Sequence, residues 1–278
     1  MITVNLKGGM GNQMFQYATA RHLSIKYDSD LILNTEYFYN IPHGDVPRKY
    51  QLDIFNIKKN IKLKQTINPI VKILQKISLK IFSEKTQTYI AFALLNFNLP
   101  VYLNGYFQSE KYFKNDRVIL LKEFTLTKEI GTEARKIKEV LEKSESVCLN
   151  VRRGDYLRPD YIKIFGTCDI EYYNRAMEYI KNKVKNPLIC VFSDDPEWVK
   201  KEFKIENVIF AGNDILKDYE QMYLMSICKH NIIANSSFAW WGAWLNQNPN
   251  KIIIGPKKWL ANKTSDKLDV LPKEWIQI

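Results

Sequence analysis

The sequence is poor in the residues that bind metals and form disulfides. Three histidines (His22, His43, His230) and four cysteines, at 148, 168, 190 and 228, are scattered over 278 residues. No Cys-x-x-Cys pair occurs, so a zinc site is not expected. Cys148 and Cys190 lie inside apolar runs and read as buried, reduced thiols. Long apolar stretches are also lacking. The stretch 89–95 is far shorter than the roughly 20 residues a bilayer-spanning helix needs, and mean hydropathy is −0.30. Residues 1–4 lead straight into a glycine-rich turn, with no secretory leader pattern, so a cytoplasmic protein is expected. Neither repeats nor a low-complexity linker interrupts the chain.

What is present begins with charge. Lys and Arg number 41 against 30 Asp and Glu, a net charge of +11. Such a surface attracts polyanions: nucleic acid, anionic lipid or phosphorylated small molecules. No RNP-type, zinc-finger or helix-turn-helix pattern accompanies it, so nucleic acid is not the expected partner. Apolar residues make up 46% of the chain, enough for a core in each of two domains.

Alternating strand and helix patterns predict an α/β fold with mostly parallel sheets. Residues 2–6 read as a strand, 7–12 as a glycine-rich turn and 12–27 as a helix. Strands are expected at 31–33 and 101–107. A charged helix at 133–143 reads as the connection between domains 1–143 and 144–278. A second series follows, with strands at 147–151, 188–192, 208–211, 232–234 and 252–254. Helices alternate with them at 169–183, from Asp194-Asp195-Pro196-Glu197, at 218–230 and from Asn235-Ser236-Ser237. One of the two aspartates caps its helix, and proline suits the first turn. Residues 66–83 have helical spacing with a basic face. The plain reading is a solvated helix covering the first domain; a second rests it on anionic lipid headgroups at the inner face of the membrane.

Four strings combine residue types that suit phosphate. Lys7-Gly8-Gly9-Met10-Gly11-Asn12-Gln13 joins a strand to a helix, where glycines permit close backbone approach and free amides favour anions. It is neither G-x-G-x-x-G nor a Walker A loop. Arg152-Arg153-Gly154-Asp155 follows a buried-type strand. Arginine forks match phosphate oxygens, while the plain alternative is an ion pair with Asp155. Ser193-Asp194-Asp195 resembles a metal-binding DxD site, but without clustered histidines no divalent cation is expected, and helix capping competes. Asn235-Ser236-Ser237-Phe238 places small polar residues at a strand-to-helix turn, with Trp240 and Trp241 behind them as core. These residues imply a phosphorylated ligand in a cleft of a two-domain α/β protein. They do not name it.

In order, five blocks resemble those of glycosyltransferase family 11, the α-1,2-fucosyltransferases. The first is Gly8-Gly9-Met10-Gly11-Asn12-Gln13-Met14-Phe15-Gln16-Tyr17-Ala18. The second is Asn104-Gly105-Tyr106-Phe107-Gln108-Ser109-Glu110-Lys111-Tyr112-Phe113, and the third Val151-Arg152-Arg153-Gly154-Asp155-Tyr156. Phe192-Ser193-Asp194-Asp195-Pro196 and residues 218–245 complete the set. The resemblance implies a GT-B-like fold of two facing Rossmann-like domains, with acceptor on the first and donor on the second. It further implies GDP-β-L-fucose as donor, inversion at the anomeric carbon, no required metal, and a galactose-terminated oligosaccharide, such as a surface polysaccharide, as acceptor.

Carried over by position, Arg152 clamps the β-phosphate, and Asn12, with Gly9 and Gly11 just before it, lies near the diphosphate or fucose. Ser236 and Ser237, flanked by Asn235 and Phe238, hold phosphate oxygens. Glu220, or Asp218 one turn earlier, reads guanine. Arg153 and Asp155 order the arginine motif. Asp155 or Asp194 is a candidate base, though a loose transition state needs only a weak one. The chain departs from the pattern at Asn150, where many members have His, so the role of that position in reading guanine stays open here. A same-fold transferase using another nucleotide sugar, and a noncatalytic glycan- or polyanion-binding protein, are the competing readings.

Overall fold

A computed structural model describes residues 1–57, 62–64, 80–84, 89–90, 99–204, 206–212, 216–261, 263–264 and 268–278. The chain divides into two compact units, Met1–Lys128 and Glu129–Ile278.

The first unit is built on a five-stranded sheet. Its strands are β1 (Ile2–Asn5), β2 (Leu31–Asn34), β3 (Lys62–Lys64), β4 (Lys80–Ser83) and β5 (Val101–Asn104). They lie in the order β3-β2-β1-β5-β4, and every pairing is parallel. Parallel neighbours require crossover connections, and helix α1 (Met10–Lys26) supplies the one from β1 to β2. The helix contains no proline, and Lys26 suits the negative end of its dipole. Its face toward helix α2 (Arg117–Glu123) carries a buried polar lock. The Tyr17 hydroxyl donates to Glu123 Oε2 at 2.8 Å, and Arg21 Nε donates to Oε1 at 2.9 Å. Both carboxylate oxygens of a buried glutamate are thereby satisfied.

The expected basic helix at 66–83 needs correction at its end. Residues 66–79 lie outside the described residues, but Lys80–Ser83 is strand β4, parallel to β5. A four-residue run holding Ile81 and Phe82 suits a strand as well as a helix, and the free edge of β5 supplies the ladder that decides.

The second unit opens with helix α3 (Thr132–Glu142), which the sequence suggested as a connection; Ala134 and Leu141 bury it in this unit's core. The strands β6 (Ser146–Val151), β7 (Leu188–Ser193), β8 (Val208–Phe210), β9 (His230–Ile232) and β10 (Ile253–Gly255) follow, then a hairpin of β11 (Lys258–Leu260) and β12 (Lys263–Thr264), and finally β13 (Ile276–Gln277). The main sheet runs β13-β10-β9-β6-β7-β8 with every pairing parallel. Between them lie α4 (Pro159–Ile162), α5 (Ile170–Lys183), α6 (Pro196–Glu202), α7 (Asp218–Ile227) and α8 (Ser237–Trp244).

Strands β6 and β7 are buried along their whole lengths, as expected when helices cover both faces. Alternation sorts their side chains. Val147, Leu149 and Val151 face α5 and α6, meeting Tyr173, Ala176, Ile180, Val199 and Phe203. Cys148, Cys190 and Phe192 face α3 and α7, meeting Leu141, Leu224 and Met225. All four cysteines are free thiols, and burial pushes Cys190 up to about 12. Behind α8, Trp240 stacks on Trp244 at 6.1 Å and touches Trp275 at 5.4 Å, while its indole N–H donates to the Val270 carbonyl at 2.8 Å.

Trp240 is fully buried, so Trp240→Ala should destabilise the chain by about 3–5 kcal/mol. A urea titration followed by fluorescence would measure this as a lowered unfolding midpoint.

Candidate active site

Both sheets reverse their winding once. In the second unit the chain moves outward from β6 to β7 and β8, then returns to the other side of β6 with β9 and β10. The loops after β6 and β9 therefore diverge and leave a crevice at the carboxyl ends of the strands, where open α/β sheets hold ligands. Those loops carry Arg152-Arg153-Gly154-Asp155 and Asn235-Ser236-Ser237. In the first unit the reversal lies between β1 and β5, whose following loops carry Gly8–Asn12 and Gly105–Ser109. Strand order brings together strings that are far apart in sequence.

In the second unit the arginine motif is held by carboxylates. Arg152 Nη2 donates to Asp155 Oδ1 at 2.5 Å, and Nη1 pairs with Asp194 Oδ2 at 2.9 Å. Asp194 Oδ1 accepts the Arg153 amide at 2.8 Å. Arg153 turns the other way: its Nε donates to Asp195 Oδ2 at 3.0 Å, and its guanidinium lies 4.0 Å from the Trp198 ring centroid. The pairs are partly shielded, with the Arg152 side chain 27% exposed and Asp194 13%. Burial alone would lower the Arg152 pKa. Asp194, Asp155 and Tyr156 outweigh it and raise the guanidinium above its ordinary value, so it stays charged.

The two aspartates after β7 divide their work. Asp195 caps α6, accepting the Trp198 amide at 3.2 Å, and Pro196 occupies the first turn. Asp194 serves the arginine motif. Gly154 is needed for it, because a Cβ there would stand 2.5 Å from Asp194 Oδ2.

Tyr156 links this motif to the next. Its ring lies 5.3 Å from the Arg152 guanidinium, it stacks on Phe165 at 4.9 Å, and its hydroxyl donates to the Asn235 carbonyl at 3.2 Å. Burial pushes its pKa up to about 12, so it remains a neutral donor. The Asn235 side chain is structural. Its Nδ2 donates to the carbonyls of Phe165 at 2.9 Å and Trp259 at 3.1 Å. Ser236 and Ser237 differ: Ser236 is the N-cap of α8 without a side-chain capping bond, and neither hydroxyl has a partner among the described residues. The first amides of α8 are thus left for an anion. Phe238 packs its ring against the core.

Two further expected residues sit differently from a simple ligand contact. Glu220 is buried, its Oε1 accepts the Gly131 amide at 2.7 Å and its Oε2 the Lys217 amide at 2.9 Å. One carboxylate therefore caps the N-termini of α3 and α7 together. Asn150 is also buried. Its Nδ2 donates to the Phe192 carbonyl at 3.2 Å, while its Oδ1 has no hydrogen-bond partner among the described residues. An unmatched buried acceptor beside the arginine motif is a place for a ligand N–H or O–H.

In the first unit, Gly8 adopts φ +76°, and a Cβ on it would meet Asn12 Nδ2 at 2.7 Å. Gly9 is the N-cap of α1 and offers no side-chain acceptor, so the first-turn amides near Gly11 and Asn12 stay open. Asn12 Oδ1 accepts from Gln108 Nε2 at 2.8 Å, tying the two loops at the reversal. Gln13 braces the turn, donating to the carbonyls of Gly8 and Lys49, each at 2.9 Å. Asn12, Gly9 and Gly11 thus belong to the first unit and the other expected site residues to the second. Sequence reasoning missed Tyr156, Trp198 and Gln108 as supports. Two of them stood in quoted blocks, but aromatic and amide side chains carry no signal of which loop they will reach. No group of three or more His, Cys, Asp or Glu that could hold a metal is present among the described residues, and no helix among them is long and apolar enough to cross a membrane.

The profile of glycosyl transferase family 11 matches residues 1–278. The chain is 34% identical to an alpha-1,2-colitosyltransferase of Escherichia coli, covering 100% of this chain and 99% of that protein. It is 28% identical to the galactoside 2-alpha-L-fucosyltransferase Sec1 of Mus musculus, over 88% of this chain and 64% of that longer protein. The crystal structure of POFUT1 in complex with GDP matches with a TM-score of 0.53 at 10% identity, covering 91% of this chain and 97% of that one. At that identity the likeness is one of fold, and it is GT-B-like.

Gly154→Ala should push Asp194 off Arg152 and cost about 1–3 kcal/mol. Glu220→Ala should cost a similar ~1–3 kcal/mol by leaving two helix-end amides unpaired. Thermal unfolding of each variant would test both figures; an unchanged midpoint for Glu220→Ala would remove its capping role.

Proposed function

The chain belongs to glycosyl transferase family 11, and we propose that it moves L-fucose from GDP-β-L-fucose to the 2-hydroxyl of a β-linked galactose in a surface glycan. The reaction inverts the anomeric carbon and needs no metal. The second unit holds the donor and the first the acceptor, in the cytoplasm. The observation that carries this reading is that Tyr156 links Arg152 to the turn before the uncapped start of α8, at the reversal of the second sheet.

As the bond from C1 to the diphosphate breaks, negative charge grows on the leaving GDP. The Arg152 guanidinium, the Ser236 and Ser237 hydroxyls and the first amides of α8 are preorganised donors for that charge. They take the place of a cation. Arg153, Asp155 and Asp194 position Arg152 rather than touch the donor. Asp155 and Asp194 are both engaged by Arg152, so their oxygens are committed to holding the guanidinium. Asn150 Oδ1, without a partner among the described residues, accepts from the nucleotide at the position where many members have His. Glu220 shapes the guanine side by fixing two helix starts. Asn12 orients the acceptor side of the fucosyl group.

A second donor follows from a specific observation, the 34% identity over the whole chain with a colitosyltransferase. Colitose is L-fucose without its 3-hydroxyl, so GDP-colitose would use the same phosphate and guanine contacts. The two differ only in whether a buried polar group meets the 3-hydroxyl.

Incubation with GDP-fucose, GDP-colitose and UDP-galactose against a panel of galactosides, with the linkage read by NMR, tests donor and acceptor together. An α-1,2-fucosyl galactoside is the expected product. Arg152→Ala should lower kcat by ~10²-fold or more. Near-normal turnover of that variant, folded by circular dichroism, would falsify the phosphate-clamp role.

A further inference from the structure

Asp155 and Asp194 are both occupied by Arg152, His22 of α1 pairs with Asp116, and His230 opens β9. The first unit offers a carboxylate that no motif marked. Glu84 directly follows β4, and its amide donates to the Asn104 carbonyl at 2.9 Å. Its Oε2 accepts two backbone amides, Tyr106 at 2.7 Å and Phe107 at 2.9 Å. Its Oε1 accepts no hydrogen bond among the described residues. The fit is tight, since a Cβ on Gly105 would stand 2.5 Å from Glu84 Cβ. One oxygen is thus fixed by two backbone amides, and the other keeps its accepting capacity as far as the described residues go.

The surroundings suit a sugar. The residues that end β2, β1 and β5 lie in register, Asn34 beside Asn5 and Asn5 beside Asn104. Asn5 Nδ2 donates to Asn104 Oδ1 at 3.3 Å, and Asn34 Nδ2 donates to the Tyr102 hydroxyl at 2.9 Å. These amides lie at the carboxyl end of the sheet, where open α/β sheets hold ligands, and Asn5 and Asn104 are half-buried while Asn34 is buried behind them. Beside it, the Lys7 ammonium lies 4.6 Å from the Tyr106 ring centroid.

We infer that Glu84 is the general base, its Oε1 taking the proton of the acceptor hydroxyl; this rests on the proposed sugar transfer. In that step the acceptor oxygen bonds to C1 of the donor sugar as its O–H bond breaks. The C1–phosphate oxygen bond breaks with its electron pair leaving on GDP, and the proton passes to Glu84 and then to solvent. The environment favours basicity. Burial raises the Glu84 pKa, against the two amide bonds and the Lys7 charge, and burial in turn lowers Lys7 against Glu84 and Asp45. A carboxylate above its ordinary range is a better proton acceptor near neutral pH.

The test uses the full chain with GDP-fucose, GDP-colitose and the galactoside panel. In Glu84→Gln the new carbonyl can still accept both amide bonds, so folding and donor KM should stay close to wild type while kcat falls by about 10²–10⁴-fold. The wild-type rise of kcat/KM with pH, as the base ionises above the ordinary carboxylate range, should be absent from Glu84→Gln. Glu84→Asp, which keeps the charge but withdraws it, should lose turnover while retaining that rise. Turnover of Glu84→Gln within about threefold of wild type, or persistence of the rise, overturns the inference and leaves the transferase reading intact. A wild-type chain that transfers neither sugar overturns both.

Discussion

Parallel pairing is the constraint from which the rest follows. Every strand contact in the two main sheets is parallel, so each connection must cross over, and all strand carboxyl ends in a sheet share one edge. Where the winding reverses, the loops from two neighbouring strands part. The glycine turn and the Gly105–Ser109 loop meet at one such place, and the arginine and serine motifs at the other. Chemistry-bearing residues 96 positions apart in the first unit and 79 apart in the second thereby become neighbours.

Asp194 does for the second unit what strand order alone could not. One oxygen holds the Arg153 amide and the other the Arg152 guanidinium, which joins the end of β7 to the loop after β6. The arginine therefore waits in place rather than searching rotamers, and the ordering entropy is met on folding instead of on binding. Two guanidinium groups stand among three carboxylates here, so the motif by itself is no electropositive patch. In the proposed transfer, what would hold a diphosphate is the set of pre-aimed N–H groups, the Ser236 and Ser237 hydroxyls and the start of α8.

Charged residues with similar sequence signals received different tasks. Asp195 caps a helix while Asp194, its neighbour, orients an arginine. Glu220 stood in a motif and ties together two helix starts. Glu84 stood in none, and only one of its oxygens accepts a hydrogen bond among the described residues. The difference lies in what each carboxylate has left to accept once the backbone has been served.

The sequence by itself determined the α/β class, the alternation in the second half, the buried thiols and the strings at the strand ends. These are local matters: period-two burial, glycine conformations, capping chemistry and short blocks in order. The basic segment at 66–83 was read as one helix, yet its last four residues pair with β5, because a short apolar run takes whichever backbone partners the fold provides. Only the tertiary structure decided that Tyr156 reaches Asn235, that Gln108 reaches Asn12, and that Gly154 must yield space to Asp194. Those contacts depend on strand order and register, which no window of sequence contains. The residues able to donate to a phosphate could therefore be named in advance, but which of them remain unpartnered was set by packing.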